Sequence, residues 1–157
     1  MGAVTGLKIV LFDLDGTLVE GSVLLKGVRE LLGGLWKQDA AIGLVTGYGM
    51  QDAIGILESA GIRGYFPVIV GIDMGRGIEE RLARALDACR KRLKGAQADI
   101  YYFDDSGEGI PVSRRLGITS FAIGTGVTPL AQLRDMNPDY ALKDLGDTKK
   151  ILGIIFA

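Results

Sequence analysis

Apolar residues along this chain fall into short unbroken runs and into stretches with a three-to-four-residue repeat, and the two patterns alternate. Lys8 to Phe12 is an apolar run of strand length, as expected of a strand covered on both faces. Val28, Leu31, Leu32 and Leu35 then recur at helical spacing, followed by a second short run from Ala41 to Val45. Ala53, Ile54, Leu57 and Ala60 predict another helix, ended by Gly61, and Pro67 to Val70 predicts a third strand. The clearest helix comes next. Ile78, Leu82, Ala85, Leu86, Cys89 and Leu93 share one face, Glu79 and Glu80 lie in its first turn, and Arg90, Lys91, Arg92 and Lys94 load its far end, which suits the helix dipole. Asp99 to Phe103 and Ile118 to Ile123 predict two more strands, Tyr140 to Leu142 a short sixth, and Thr148 to Ile155 a last helix.

Strands that alternate with helices over short connections predict an α/β fold: a doubly wound, mainly parallel, Rossmann-like sheet between two layers of helices. At 157 residues, with no internal repeat and no long linker, one domain over 1–157 is expected. In such a sheet, ligands bind at the carboxyl ends of strands. The apolar stretch from Ile151 to Phe156 fits either a core-facing helix or a contact with a second copy of the chain.

The acidic residues gain meaning from that layout. Asp13 and Asp15 lie just past the first strand, and Asp104 and Asp105 just past the fourth. An aspartate after a strand often only makes a turn or caps a helix. Two pairs at matching strand ends, with Thr46-Gly47 ending the second strand, point instead to one oxygen-lined cavity fit for a hard cation such as Mg²⁺.

Composition narrows the chemistry further. The chain has no histidine, which excludes serine-histidine triads, histidine-ligated zinc and histidine general bases, so acid-base work falls to carboxylates. The single cysteine, Cys89, has no partner for an internal disulfide and reads as a small buried hydrophobe. A formal net charge of -1 without runs of like charge gives no strong nucleic-acid signal. No apolar stretch approaches the ~20 residues of a membrane helix, and the amino-terminal segment does not read as a secretory signal, so a cytoplasmic protein is expected.

Asp13-Leu14-Asp15-Gly16-Thr17-Leu18 after a hydrophobic strand closely resembles the first motif of the haloacid dehalogenase-like superfamily. Val45-Thr46-Gly47 resembles its second motif, Arg76 stands near the position of the third, and Phe103-Asp104-Asp105-Ser106 resembles the fourth. The resemblance implies a magnesium-dependent phosphomonoester hydrolase in which Asp13 attacks phosphorus and Asp15 protonates the leaving group, then activates water. It implies a phosphate site formed by Leu14, Asp15, Thr46, Gly47 and Arg76. The implied metal ligands are Asp13, the main-chain carbonyl of Asp15 and Asp105, with Asp104 orienting a metal-bound water or a phosphate-binding cation. Members that cleave carbon-halogen bonds lack an aspartate at the position of Asp15, so phosphoryl transfer is the better match.

The sequence departs from the family in three places. The family more often has lysine where Arg76 stands, which leaves Arg81 and Lys94 as further candidate cations. Many members carry another aspartate where this chain has Gly109 and Ile110. The intervals between the first and second motifs, and between the second and third, are too short for a cap domain. The chain thus resembles the capless, small magnesium-dependent phosphatases, with Trp36, Tyr48 and Met50 as candidates to line an open mouth. The substrates expected are a phosphorylated small molecule or a phosphoprotein, with a homo-oligomer as a way to cover the site. Two other readings stay open: a non-catalytic binding domain on the same fold, and a phosphoryl transferase of the same superfamily.

Overall fold

Strand β1 (Lys8–Phe12) is buried along its whole length and lies inside the central sheet of the computed structural model, which describes residues 6–157. A two-residue hairpin follows, β2 (Val19–Glu20) and β3 (Val23–Leu24), then α1 (Val28–Lys37), β4 (Ala41–Val45) and α2 (Met50–Ser59). After a 3-10 turn at Arg63–Tyr65 come β5 (Val68–Val70), a second 3-10 turn at Ile72–Met74 and α3 (Ile78–Arg92). The remainder is β6 (Asp99–Asp104), α4 (Gly109–Leu116), β7 (Thr119–Ile123), α5 (Leu130–Asp135), β8 (Tyr140–Leu142) and α6 (Thr148–Ile155).

The sheet has six strands in the order β5-β4-β1-β6-β7-β8, and every pairing in it is parallel. Register places Phe12 opposite Leu44 on one side and Phe103 on the other, so β1, β4 and β6 end level at one edge. Strand alternation sends Val10 and Phe12 to one face, against α1, α2 and α6, and Ile9 and Leu11 to the other, against α3 and α4. On the first face aromatic rings stack across four strands: Phe12 on Phe103 at 4.8 Å, Phe103 on Phe121 at 4.4 Å and Phe121 on Tyr140 at 4.7 Å. Such pairs contribute ~1 kcal/mol each beyond their buried area and hold the strand ends in register.

The strands and long helices match the sequence pattern with shifts of one residue. β5 begins at Val68 rather than Pro67, whose nitrogen has no hydrogen to donate to the ladder. Ile151 and Ile155 are buried on α6, which packs against α1, so the last helix faces the core. Cys89 is buried, and burial pushes its thiol up to about 12, which leaves it inert near neutral pH. Helices α4 and α5 were not expected: α4 carries Gly109 and Pro111 in its first turn, and α5 has six residues. No helix among the described residues is long and apolar enough to cross a membrane.

One glycine ties the amino end of α1 to the far end of the chain. Gly27 has φ 81°, and a Cβ there would fall on the carbonyl of Leu145. Gly27→Ala meets both a left-handed backbone and a backbone clash, so it is expected to lower the unfolding free energy by roughly 2–3 kcal/mol, read from the urea midpoint.

Candidate active site

Beyond β1 the sheet's hydrogen bonding runs one residue further, with the amide of Asp13 donating to the carbonyl of Phe103 at 2.9 Å. This fixes the Asp13 side chain at the level edge. The chain then turns sharply, the carbonyl of Leu14 accepting from the amide of Leu18 at 2.9 Å, while Leu14 and Leu18 enter the core. Gly16 makes the turn at φ 83°. Alternation across the turn leaves Asp13 half-buried and Asp15 exposed. Two carboxylates on one loop thus have different surroundings, the condition under which identical side chains take different protonation roles.

Asp104 is the last residue of β6, and Asp105 follows it; both are buried. Asp104 accepts hydrogen bonds from the amide of Ser106 at 3.2 Å, its hydroxyl at 3.1 Å and the amide of Gly109 at 3.2 Å. Asp105 accepts from the hydroxyl of Thr17 at 3.4 Å and the amide of Val127 at 3.2 Å. One carboxylate oxygen from each of Asp13, Asp104 and Asp105 lies within 4.8 Å of the others. Asp104, expected to orient a metal-bound water or a phosphate-binding cation, is thus a member of this cluster together with Asp105.

Burial, and after it the charges of Asp104 and Asp105, push Asp13 up to about 10. Burial also raises Asp104, against the opposing hydrogen bonds from Ser106. Three carboxyls so placed cannot all ionise without a compensating cation, and an all-oxygen donor set suits a hard divalent one. The residues present therefore fit a metal of that kind. Without metal, the folded state holds the Asp13 proton more tightly than the unfolded chain, where an aspartate titrates near 4. The sign follows: the contribution of Asp13 to metal-free stability is greatest below that value and is lost as pH rises toward about 10. Asp13→Asn is expected to flatten this fall and to stabilise the metal-free protein at pH 8 by about 1–3 kcal/mol. Denaturant titration at several pH values without divalent ions is the check.

Space for the cluster comes from glycines. A Cβ on Gly16 or on Gly126 would fall on the carboxylate of Asp105, and one on Gly109 would meet the ring of Tyr102 and approach Asp104. Gly109, where many relatives have a carboxylate, here supplies an amide to Asp104 instead. The loop of 124–129 closes the site from β7: besides Val127, the hydroxyl of Thr125 donates to the carbonyl of Gly16 at 2.6 Å, and that of Thr128 to the carbonyl of Ser106 at 3.3 Å. Thr17 and Ser106 fall inside the first and fourth motif segments without a role assigned to them, and the contacts of this loop are not expected from sequence. A faint signal existed in Gly124-Thr125-Gly126 after a predicted strand.

Thr46 is buried at the end of β4, where its amide donates to the carbonyl of Val70 at 3.0 Å and its hydroxyl oxygen accepts from the amide of Tyr48 at 3.2 Å. Gly47 is exposed beside it. The first amide of α2, on Met50, is occupied by the carboxylate of Asp73 at 3.3 Å. Arg76 is exposed, and its guanidinium makes no hydrogen bond among the described residues. Arg81 is buried behind it, one guanidinium nitrogen donating to the carbonyls of Gly75 and Arg76, each at 3.0 Å. Its role is thus to brace the loop that carries Arg76. Lys94 follows the carboxyl end of α3 and leads into β6, so it lies at the opposite edge of the sheet and is not an alternative. Trp36 is also at that opposite edge, near the end of α1, with its ring against Tyr65 at 5.9 Å, and does not line the mouth.

Residues 22–123 match the sequence model of the haloacid dehalogenase-like hydrolase family. The chain belongs to that family. Among curated relatives, the pyrophosphatase PpaX of Halalkalibacterium halodurans is 24% identical over 132 residues, which cover 82% of this chain and 60% of the relative. The chain thus spans about three fifths of that protein's length. A haloacid dehalogenase-like family hydrolase from Streptococcus pneumoniae superposes with a TM-score of 0.79 at 17% identity, covering 96% of this chain and 99% of that one, a likeness of fold. A predicted phosphoglycolate phosphatase from Haemophilus somnus gives a TM-score of 0.67 at 25% identity, over 82% of this chain and 56% of that one.

Proposed function

We propose that this haloacid dehalogenase-like chain hydrolyses phosphomonoesters, with Asp13 as nucleophile, Asp15 as acid and base, and Mg²⁺ as cofactor. The observation that carries the reading is the convergence of Asp13, Asp104 and Asp105 at one strand edge, with the exposed carboxylate of Asp15 two residues beyond the nucleophile. Asp13, Asp104, Asp105 and the carbonyl of Asp15 would hold the metal, which, when bound, neutralises carboxylate and phosphate charge.

A carboxylate oxygen of Asp13 attacks phosphorus, the ester P–O bond breaks, and Asp15 gives its proton to the leaving oxygen. The now ionised Asp15 takes a proton from water. That water attacks the phosphorus of the aspartyl-phosphate, releasing inorganic phosphate and returning both carboxyls to their first states. Thr46 and the amides of Leu14, Asp15 and Gly47 bind the phosphoryl oxygens, and Arg76 swings in from solvent to meet their charge.

Between Asp13 and Thr46 the chain holds only β2, β3, α1 and β4, and between Thr46 and Arg76 only α2, β5 and two 3-10 turns. These contents support a capless member in which rim residues contact the substrate. Val23 on the hairpin, Tyr48 after Thr46, and Val127 beside Asp105 are exposed apolar side chains on the loops that carry the site. They favour a phosphorylated small molecule with an apolar portion as substrate.

A phosphomonoester panel assayed for phosphate release with and without Mg²⁺ tests the proposal. Release that persists after thorough chelation removes the metal from it. Asp15→Asn is expected to slow turnover at least ~100-fold and, with a good leaving group such as p-nitrophenolate, to let phosphoenzyme accumulate. Mass spectrometry that finds the phosphoryl group on a peptide without Asp13 rejects the assignment of roles.

A further inference from the structure

A cavity of about 720 Å³ lies beside the carboxyl end of β8, between the root of the hairpin, α5 and the start of α6. It shares no lining residue with the acidic cluster. Its volume is that of a small-molecule site. Leu130, Leu142 and Ile151 give it an apolar floor, and Lys26, Arg134, Lys143 and Lys150 ring it with positive charge. None of these four cations is in an ion pair among the described residues. Two carboxylates also line the cavity, and each is engaged with the local backbone: Asp144 accepts from the amide of Gly146 at 2.7 Å, and Asp147 from the amide of Lys150 at 3.2 Å. Four cations against two carboxylates leave a surplus of two positive charges facing an apolar floor.

The walls are also tied to the catalytic loops. Leu130, the first residue of α5, follows the 124–129 loop, whose Val127 amide holds Asp105 and whose Gly124 amide donates to the carbonyl of Leu142 at 2.8 Å. On the other side, Leu25, next to Lys26, donates its amide to the carbonyl of Leu18 at 2.9 Å. Gly146 packs so closely on Lys26 that a Cβ there would meet the lysine stem at 2.7 Å. A molecule in the cavity would touch both segments at once.

We propose that this cavity is a second binding site, for a small organic dianion with an apolar body, separate from the site of phosphoryl transfer. The surplus of two charges matches the dianion, and the floor of Leu130, Leu142 and Ile151 matches its body. The proposal does not depend on the phosphatase reading, since binding is measured without turnover. The probe is 1-naphthylphosphonate, titrated into metal-free protein at low ionic strength and followed by amide NMR.

Saturable shifts are expected at residues 130–134 and 143–151, with Val127 moving through its link to Asp105. Lys143 and Lys150 reversed together to Glu (K143E/K150E) should weaken binding at least about tenfold, and Arg134→Glu, on a different element, should weaken it several-fold. Arg115→Glu, a charge reversal outside the cavity, should leave affinity unchanged, which separates a site from general charge attraction. The proposal fails if shifts appear only at Asp13–Gly16 and Thr46–Tyr48, if none saturate, or if both the double reversal and Arg134→Glu bind as the wild type does.

Discussion

Asp13→Asn is expected to cut phosphate release by at least about a thousandfold while the protein stays folded. The carboxamide fills the same volume but cannot form the acyl phosphate that the proposed reaction passes through. Structural damage should be slight, because the interactions that place residue 13 are made by the backbone: its amide donates to Phe103, and Leu14 anchors the following turn in the core. The substitution also removes a carboxyl whose ionisation burial, Asp104 and Asp105 already oppose. Lost turnover should therefore come with equal or higher stability in metal-free buffer. Those two results together distinguish a nucleophile from a structural aspartate, whose loss would lower both. If Asp13→Asn retains turnover within tenfold of wild type, Asp13 is not the nucleophile.

The sheet was legible because its strands are short and buried on both faces, so runs such as Ala41 to Val45 carry no competing periodicity. Parallel order followed from the helices between them. Helix α4 was hidden for a physical reason: Gly109 and Pro111 read as breakers, yet both sit in the first turn, where proline's missing hydrogen costs nothing and Gly109 is required by the closeness of Tyr102. The hairpin β2–β3 has two residues per strand, too few for alternation to show.

Within the site, residues whose own chemistry marks them were legible, and residues that act by contact were not. Asp13, Asp15, Asp104 and Asp105 stood out by spacing from strand ends. Thr17 hydrogen-bonds Asp105 across 88 positions of sequence, and Thr125 reaches Gly16 across 109, so nothing local announces either. Arg76 and Arg81 show the converse: both were visible as cations, but only packing separates them, one exposed and the other buried against the carbonyls of Gly75 and Arg76. The resemblance gives Asp104 an orienting role and Asp105 the metal, but motif spacing does not say how close two adjacent aspartates can both come to Asp13; the amides of Ser106 and Gly109 hold Asp104 where one oxygen from each lies within reach of Asp13.

Gly126→Ala is expected to raise the Mg²⁺ concentration for half-maximal activity by about 10-fold or more, the scale seen when groups that orient metal ligands are changed. The backbone of Gly126 is not in the left-handed region, so conformational strain is not the cause. Space is. A Cβ there would fall on the Asp105 carboxylate, already fixed by Thr17 on one oxygen and Val127 on the other. Either Asp105 rotates away from Asp13, or the 124–129 loop lifts and gives up the bonds from Val127 to Asp105 and from Thr125 to Gly16. Both responses pull one carboxylate out of the cluster, and neither touches the nucleophile itself. The expected signature is therefore a shifted metal titration with substantial recovery of rate at saturating Mg²⁺, unlike Asp13→Asn, which no metal concentration should rescue. Gly153→Ala is the matched control: it adds the same methyl on α6, where nothing lies within 4 Å, and should leave activity unchanged. An unshifted Mg²⁺ titration for Gly126→Ala would show that Asp105 does not hold the metal.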